Sequence, residues 1–370
     1  MVIYAAVLGV NTEIAEGFSL NVVGTMTLNQ RLALLAQLVG AAMGRCRIQA
    51  LTLAPEIEVR YLFVAPEYFL SAGSDAHIVT REDQQHILTS LRALSTRYPD
   101  LMLIPGTLPY YRRRRVEDVG KYPGFQHKYI SHNAAYVIHD SLKAYKHNKR
   151  HDAGEVLPNE NRNGKISYRG GTSNGQFNLA GVNIGLEICA DHDVGVLRAE
   201  LIQYVDLHIV MSASVTLKLD NFCARDGGFL IHSNAGSGHS VYQVERSWVD
   251  QSVANFADPQ HGVSGRIQPF ENYNARAFRA FQDHLPRFEE ITSERQRVMR
   301  KESVKQQKRA RARYINQGHD PGPTIGEFRN QLRQRDANRL GLLMNQVGGS
   351  MGLYQLDLNV APQNGINIFD

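Results

Sequence analysis

A thiol, a carboxylate and an ammonium recur at the same kind of place in this sequence, the polar end of an apolar run. Cys189 lies near the end of GVNIGLEICADHD (residues 181–193), Glu67 follows YLFVAP, and Lys149 follows a predicted hairpin. Val182, Ile184, Leu186 and Ile188 alternate with Gly and polar residues, the period-2 signature of a strand with one buried face. A thiol carried off such a strand onto a turn can serve as a nucleophile if a base takes its proton, since a free thiol titrates near ~8.5. Attack on an amide or nitrile also needs that base to activate water later. A cation or other donors must face the developing oxyanion. Glu67, Lys149 and Cys189 supply that set, although each alone reads as a surface carboxylate, a solvated lysine and a packed thiol.

The elements that must position them follow from the apolar periodicity. Residues 2–10 (VIYAAVLGV) read as a central strand, Thr27–Cys46 as a long helix, and Tyr61–Val64 as a short buried strand. A helix over about Arg81–Tyr98, closed by Pro99, precedes the apolar run Leu101–Pro105, stopped by Gly106. Strand and helix alternating at this spacing argue for an α/β sandwich. Residues 110–130, with four consecutive arginines at Arg112–Arg115, read as an insertion-like loop. His132–Ile138 and Leu142–His147 form a hairpin, and 176–179 and 182–188 form a second one leading to Cys189. Asp193–Tyr204 is expected to be a helix, Asp206–Val210 and Gly228–Ser233 strands, and Leu353–Val360 a strand returning to the sheet. Ligands of open α/β sheets gather outside strand ends, where the three residues sit.

The order Glu–Lys–Cys, each at the end of an apolar strand, resembles the nitrilase or carbon–nitrogen hydrolase superfamily. Its three signatures are matched by FVAPEYFL, NKRHDAGE and VNIGLEICADHD, and DLHIVMSAS and ARDGGFLIHSNAGSG look like the family's later strand and helix–strand pieces. The likeness spans about residues 2–245. It implies a four-layer αββα sandwich, commonly dimerised through helices near the site, here with an extended basic C-terminal region. It implies Glu67 as general base, Lys149 facing the oxyanion, Cys189 as nucleophile, and a thioester intermediate (a thioimidate for a nitrile). The backbone N–H of Ala190 would assist at the oxyanion. Many members place a second Glu between Lys and Cys; Glu155 and Glu160 both lie there, and spacing does not choose between them. Tyr68 and His192 are further auxiliary candidates, His192 as a pocket-lining residue. Two departures stand out. Lys146 competes with Lys149 in Tyr145-Lys146-His147-Asn148-Lys149. Ala190-Asp191-His192-Asp193 matches neither the Trp-Glu of true nitrilases nor the Tyr-Asp-x-Arg-Phe-Pro of many amidases, so Ala190-Asp191-His192 is the stretch expected to carry the substrate choice. The resemblance favours an amidase or N-carbamoyl amidase over a nitrilase, with acyl transfer to an amine, or a silent binding protein, as the alternatives.

Hydrophobic content of 43% and charge of 21% fit a soluble globular chain, and no stretch approaches the ~18 uninterrupted apolar residues of a membrane span. The first residues lack a basic region before their apolar run, arguing against a secretory signal. Three scattered cysteines, Cys46, Cys189 and Cys223, fit a reducing, cytoplasmic compartment and offer no CxxC zinc pair. No cofactor is expected, and His147, His151, Glu155 and His192 match no metal signature. Of the net charge of +5, the segment 295–313 carries nine Lys/Arg and one acid, a local +8, so the remainder is −3. The chain therefore divides into a hydrolase domain (1–254), a polar, basic helical extension or insertion (255–345) and a C-terminal strand and tail (346–370). The expected partners are a small amide or nitrile and a second copy of the chain. Nucleic acid is the less favoured partner of 295–313, which lacks interleaved aromatics for stacking.

Overall fold

Strand β1 (Val2–Gly9) is buried along its whole length, and its two faces serve two different cores. Val2, Tyr4, Ala6 and Leu8 pack toward helices, whereas Ile3, Ala5 and Val7 pack toward a second sheet. An unbroken apolar run is what such a doubly covered strand requires. The computed structural model describes residues 1–12, 22–71, 78–115, 128–140, 142–153, 166–236, 238–244, 267–274 and 325–358.

The chain continues through α1 (Val22–Thr25), α2 (Leu28–Ala50), β2 (Val59–Val64), α3 (Arg81–Thr96), β3 (Leu101–Ile104) and β4 (Thr107–Arg113). Next come β5 (Tyr129–His139), β6 (Leu142–Asn148) and β7 (Ile166–Tyr168). Thr27 and Thr80 open α2 and α3 through reciprocal capping boxes with Gln30 and Asp83, each cap contributing about 1 kcal/mol. The second sheet is built from β8 (Gln176–Leu179), β9 (Val182–Ile188), β10 (Val205–Ser212), β11 (Ala224–Asn234) and β12 (Gly238–Gln243). Two short turns, α4 (Ala190–Val194) and α5 (Val196–Ala199), separate β9 from β10. Finally β13 (Glu271–Asn274), α6 (Ile325–Val347) and β14 (Ser350–Asp357) return to the first sheet, in which β14 lies antiparallel to β1.

The first sheet has the order β13-β14-β1-β2-β3-β5-β4, with β6 and β7 also paired to β5. β1, β2 and β3 are parallel, as are β9, β10 and β11, so Glu67 and Cys189 both follow carboxyl ends of parallel strands. The two sheets pack face to face through Leu62, Val64, Met102 and Ile104 on one side and Ile184, Leu186, Ile209 and Ile231 on the other. Helices α2, α3 and α6 cover the outer face of the first sheet. The architecture is thus the expected α/β sandwich with sheets inside and helices outside. Among the described residues, α4, α5 and the 217–223 segment form the fourth layer, covering the second sheet with Leu197, Leu219 and Phe222. No described helix is long and apolar enough to cross a membrane.

Three expectations change. Residues 110–113 are not loop but the end of β4, because their backbone pairs with residues 129–132 of β5. The helix expected over Asp193–Tyr204 is two short turns, broken where Gly195 takes the left-handed conformation (φ 72°). ARDGG, likened to a helical piece, is extended strand, since Ala224 pairs with Val205 and Gly227 and Gly228 bond residue 244. Of the stretch expected as an extension, β13 and α6 are built into the first sheet and its helix layer, and Arg45 of α2 forms an ion pair with Glu271 of β13. The basic segment 295–313 lies outside the described residues.

Gly106 shows how tightly the Glu67 loop is set. It has φ +86°, and a Cβ there would lie 2.3 Å from the Pro66 carbonyl oxygen and 2.7 Å from Phe69 Cβ. Gly106→Ala should therefore lower stability by about 2 kcal/mol or more, read as a shift in the urea midpoint with unchanged slope; a midpoint within error of wild type would contradict this packing.

Candidate active site

Glu67 is fully buried beyond the end of β2, and its carboxylate is the meeting point of both sheets. Oε1 accepts from Lys149 Nζ at 2.9 Å and from Asn133 Nδ2 at 3.0 Å, both supplied by the β5–β6 hairpin and its exit. Oε2 accepts the backbone N–H of Ala213 at 3.1 Å, just past β10 in the other sheet. The thiol of Cys189 lies against the same carboxylate, whose charge and hydrogen-bonding act on it. The structure therefore brings the three sequence-predicted residues together around one carboxylate.

The thiol sits on a strained turn. Cys189 has φ 50° and ψ −109°, outside the usual territory of a residue with a Cβ, while its N–H still bonds the Met211 carbonyl at 2.8 Å. β9 thus delivers Cys189 to the turn, β10 holds its amide, and the side chain is turned toward Glu67. Burial, then the negative charge of Glu67 and the hydrogen bond to it, push the thiol up to about 12; the Lys149 charge and a backbone hydrogen bond from Ala213 oppose this. At neutral pH the resting group is a neutral thiol with an acceptor already in contact.

Lys149 and Lys146 are separated by the strand alternation. Lys149, fully buried, faces Glu67, and its N–H bonds the carbonyl of Asn133 at 2.8 Å. Lys146 points to the helix side, where Nζ donates to Tyr110 Oη at 2.6 Å and lies over the Tyr110 and Tyr136 rings. The Lys149 carbonyl accepts from Gly171 N–H at 3.0 Å and Tyr168 O–H at 2.5 Å. Behind it, the buried Asp191 carboxylate accepts the N–H groups of Arg150 (3.0 Å to either oxygen) and His151 (2.9 Å). The residue two positions after the thiol thereby fixes the chain leaving the lysine.

His192, expected to line the pocket, is instead buried on the outer face of the second sheet. Its Nδ1 donates to Glu187 Oε2 at 2.7 Å and its Nε2 accepts the Lys218 N–H at 3.2 Å. His208 does the same through Nε2 (2.9 Å to Glu187) and Nδ1 (3.2 Å from Cys223 N–H), and Leu197 N–H completes the Glu187 carboxylate at 2.9 Å. Glu187, His192 and His208 lie close enough to ligate one ion. Both imidazoles, however, spend their lone pairs on backbone amides, so this is a closed hydrogen-bond network.

Ala190 opens α4 immediately after the thiol. Tyr68, half-buried with φ 60°, contributes its backbone: its N–H bonds Thr107 Oγ1 at 2.9 Å. Glu155 and Glu160 lie outside the described residues. Sequence reasoning missed Asn133 and Ala213. The signal for Asn133 was a polar residue in HNAAYVI on the same face as Ala135 and Val137, which pack between the sheets; nothing local marks Ala213, whose contribution is a main-chain amide.

No family model and no curated protein matches the chain. Among solved structures, it is similar to the glutamine-dependent NAD+ synthetase from Acinetobacter baumannii, at 13% identity over 73% of this chain and 44% of the synthetase, with a TM-score of 0.41. A mutant of the Nesterenkonia AN1 amidase from the nitrilase superfamily aligns at 13% identity over 72% of this chain and 86% of the amidase, with a TM-score of 0.39. Saccharomyces cerevisiae Nit3, a member of branch 10 of the nitrilase superfamily, aligns at 15% identity with the same coverages and a TM-score of 0.39. The chain spans less than half the length of the synthetase.

The outer network has a measurable consequence. Burial alone would raise the Glu187 carboxyl, but hydrogen bonds from His192 and His208 outweigh it and hold the group down to about 2. An unfolded glutamate titrates near ~4.3, so this stabilisation is complete above that pH and is lost as pH falls from there through 2, amounting to about 3 kcal/mol. Glu187→Gln should lower the urea-unfolding free energy at pH 7 by a similar amount and flatten its decline between pH 5 and 3. An unchanged pH profile would refute the assignment.

Proposed function

We propose that this chain hydrolyses a non-peptide carbon–nitrogen bond, in an amide or N-carbamoyl compound, through a thioester on Cys189. The observation that carries the reading is the single buried carboxylate of Glu67, contacted at once by the Lys149 ammonium and the Cys189 thiol. A thiol held up to about 12 cannot be stored as thiolate at neutral pH. Proton transfer to Glu67 therefore accompanies attack, as in general base catalysis. As sulfur bonds the carbonyl carbon, the carbonyl electrons move to oxygen, and the oxyanion faces Lys149 Nζ and the Ala190 N–H. Collapse breaks the carbon–nitrogen bond, and the protonated Glu67 returns its proton to the departing ammonia or amine. Water then attacks the thioester while Glu67 accepts its proton, releasing the acid and restoring the thiol. The two sheets shut bulk water away from the carboxylate, which strengthens each of these interactions.

The preference for an amide over a nitrile rests on the absence of Trp-Glu after Cys189. A nitrile would pass through a thioimidate, and an amine replacing water would divert the same thioester to acyl transfer. Wild type incubated with a panel of amides, ureido acids and nitriles should release ammonia from at least one class and Cys189→Ala from none. Glu67→Gln should lose roughly 10²–10⁴-fold in turnover, and Lys149→Met roughly 10²–10³-fold, with acylated Cys189 followed by intact mass. Ammonia release by Cys189→Ala at the wild-type rate would sink the proposal.

A further inference from the structure

Arg31, in the second turn of α2, is fully buried, yet its five hydrogen bonds go only to neutral oxygens. Nε donates to the Met26 carbonyl at 3.2 Å and Nη2 to the Gly24 carbonyl at 3.0 Å, both in the segment leading into the helix. Nη1 donates to the Tyr68 carbonyl at 2.9 Å, the Phe69 carbonyl at 3.4 Å and Ser71 Oγ at 2.8 Å. Among the described residues no carboxylate lies within ion-pair distance of the guanidinium. Burial draws it down to about 10, which still leaves it charged at neutral pH.

A buried cation held by neutral oxygens, with no counter-ion among the described residues, is costly, and a neutral side chain would suffice if α2 needed only to be packed. What this guanidinium grips is the backbone immediately after Glu67. It shares that task with Thr12 Oγ1, which holds the Glu67 carbonyl at 2.5 Å, and with Thr107, which holds the amides of Tyr68 and Leu70 at 2.9 and 3.2 Å. The Ser71 N–H on the Tyr68 carbonyl at 3.0 Å and the buried side chains of Phe69 and Leu70 also contribute. Tyr68 meanwhile sits at φ 60°, a conformation that relaxes unless held. One planar fork spans two separate segments, which a lysine ammonium cannot do.

We propose that Arg31 is a positioning residue for Glu67, holding the 68–71 backbone so that the carboxylate points between Lys149 and Cys189. This rests on the reading of Glu67 as the general base. Misplacement by about 1 Å at such a site costs on the order of 10²-fold in rate.

The test uses p-nitrophenyl acetate as the probe, with burst and steady-state rates, the pH profile of turnover, and the mass of acetyl-Cys189. Arg31→Met should lower kcat at least tenfold with KM nearly unchanged and shift the acetyl-Cys189 population in the same direction as Glu67→Gln. Adding it to Glu67→Gln should cause no further loss, because both act through one carboxylate. Arg31→Lys should recover only part of the rate. Should Arg31→Met not fold, Ser71→Ala, which removes one of the five bonds, should give a two- to fivefold loss that vanishes in the Glu67→Gln background. Losses that are undiminished in the Glu67→Gln background, or wild-type turnover in Arg31→Met or in a folded Ser71→Ala, overturn the inference while leaving the hydrolase reading intact. Wild-type turnover in Glu67→Gln instead brings down the base assignment, and this inference with it.

Discussion

The interaction on which the site depends is the buried pairing of Glu67 with Lys149. Removing both charges from water is expensive, and attraction between them offsets that cost only when the remaining lone pairs are also satisfied. Here Asn133 and Ala213 complete the carboxylate, one from each sheet. The ion pair is therefore correct only when the sheets are packed in register, so the energetics of the site and of the sandwich cannot be separated. The same carboxylate, together with burial, raises the neighbouring thiol. On the proposed function, the nucleophile is thus kept inert by the group that would activate it.

The residues after the thiol perform structural tasks that their position alone does not announce. Ala190-Asp191-His192 was the stretch expected to carry substrate choice. Instead Asp191 turns back to the lysine loop, and His192 turns away to Glu187 on the outer face. Asp191 gives the chain around Lys149 an anionic anchor, much as Arg31 gives the chain after Glu67 a cationic one. An anion suits exposed backbone amides and a cation suits carbonyls, and each charge-assisted bond is stronger than a neutral one. The outer network ties down what covers the second sheet among the described residues: Glu187 and its two histidines hold the backbones of α5 and of the 218–223 segment by hydrogen bonds.

Legibility followed the burial geometry. β1, β9 and β14 were readable because one or both of their faces are buried, which imposes an apolar run or a period-2 alternation on the sequence. The arginines at the end of β4 hid a strand because that end lies toward solvent, where pairing with β5 sets the backbone and leaves side-chain polarity free. ARDGG and 193–204 were misassigned for a related reason. Local helix preference yielded to a sheet partner in the first and to Gly195 in the second.

The sequence by itself determined which residues could react: a carboxylate, an ammonium and a thiol at the ends of apolar strands, in an order that resembles one superfamily. It also determined the α/β layering, because burial leaves periodic marks. Tertiary structure alone decided that Lys149, not Lys146, meets Glu67, since three positions along a strand place them on opposite faces. It decided that Asn133 and the Ala213 amide complete the carboxylate, and that His192 belongs to another face. Those choices depend on contacts between residues 66 and 146 positions apart, and no local pattern encodes a partner that far along the chain.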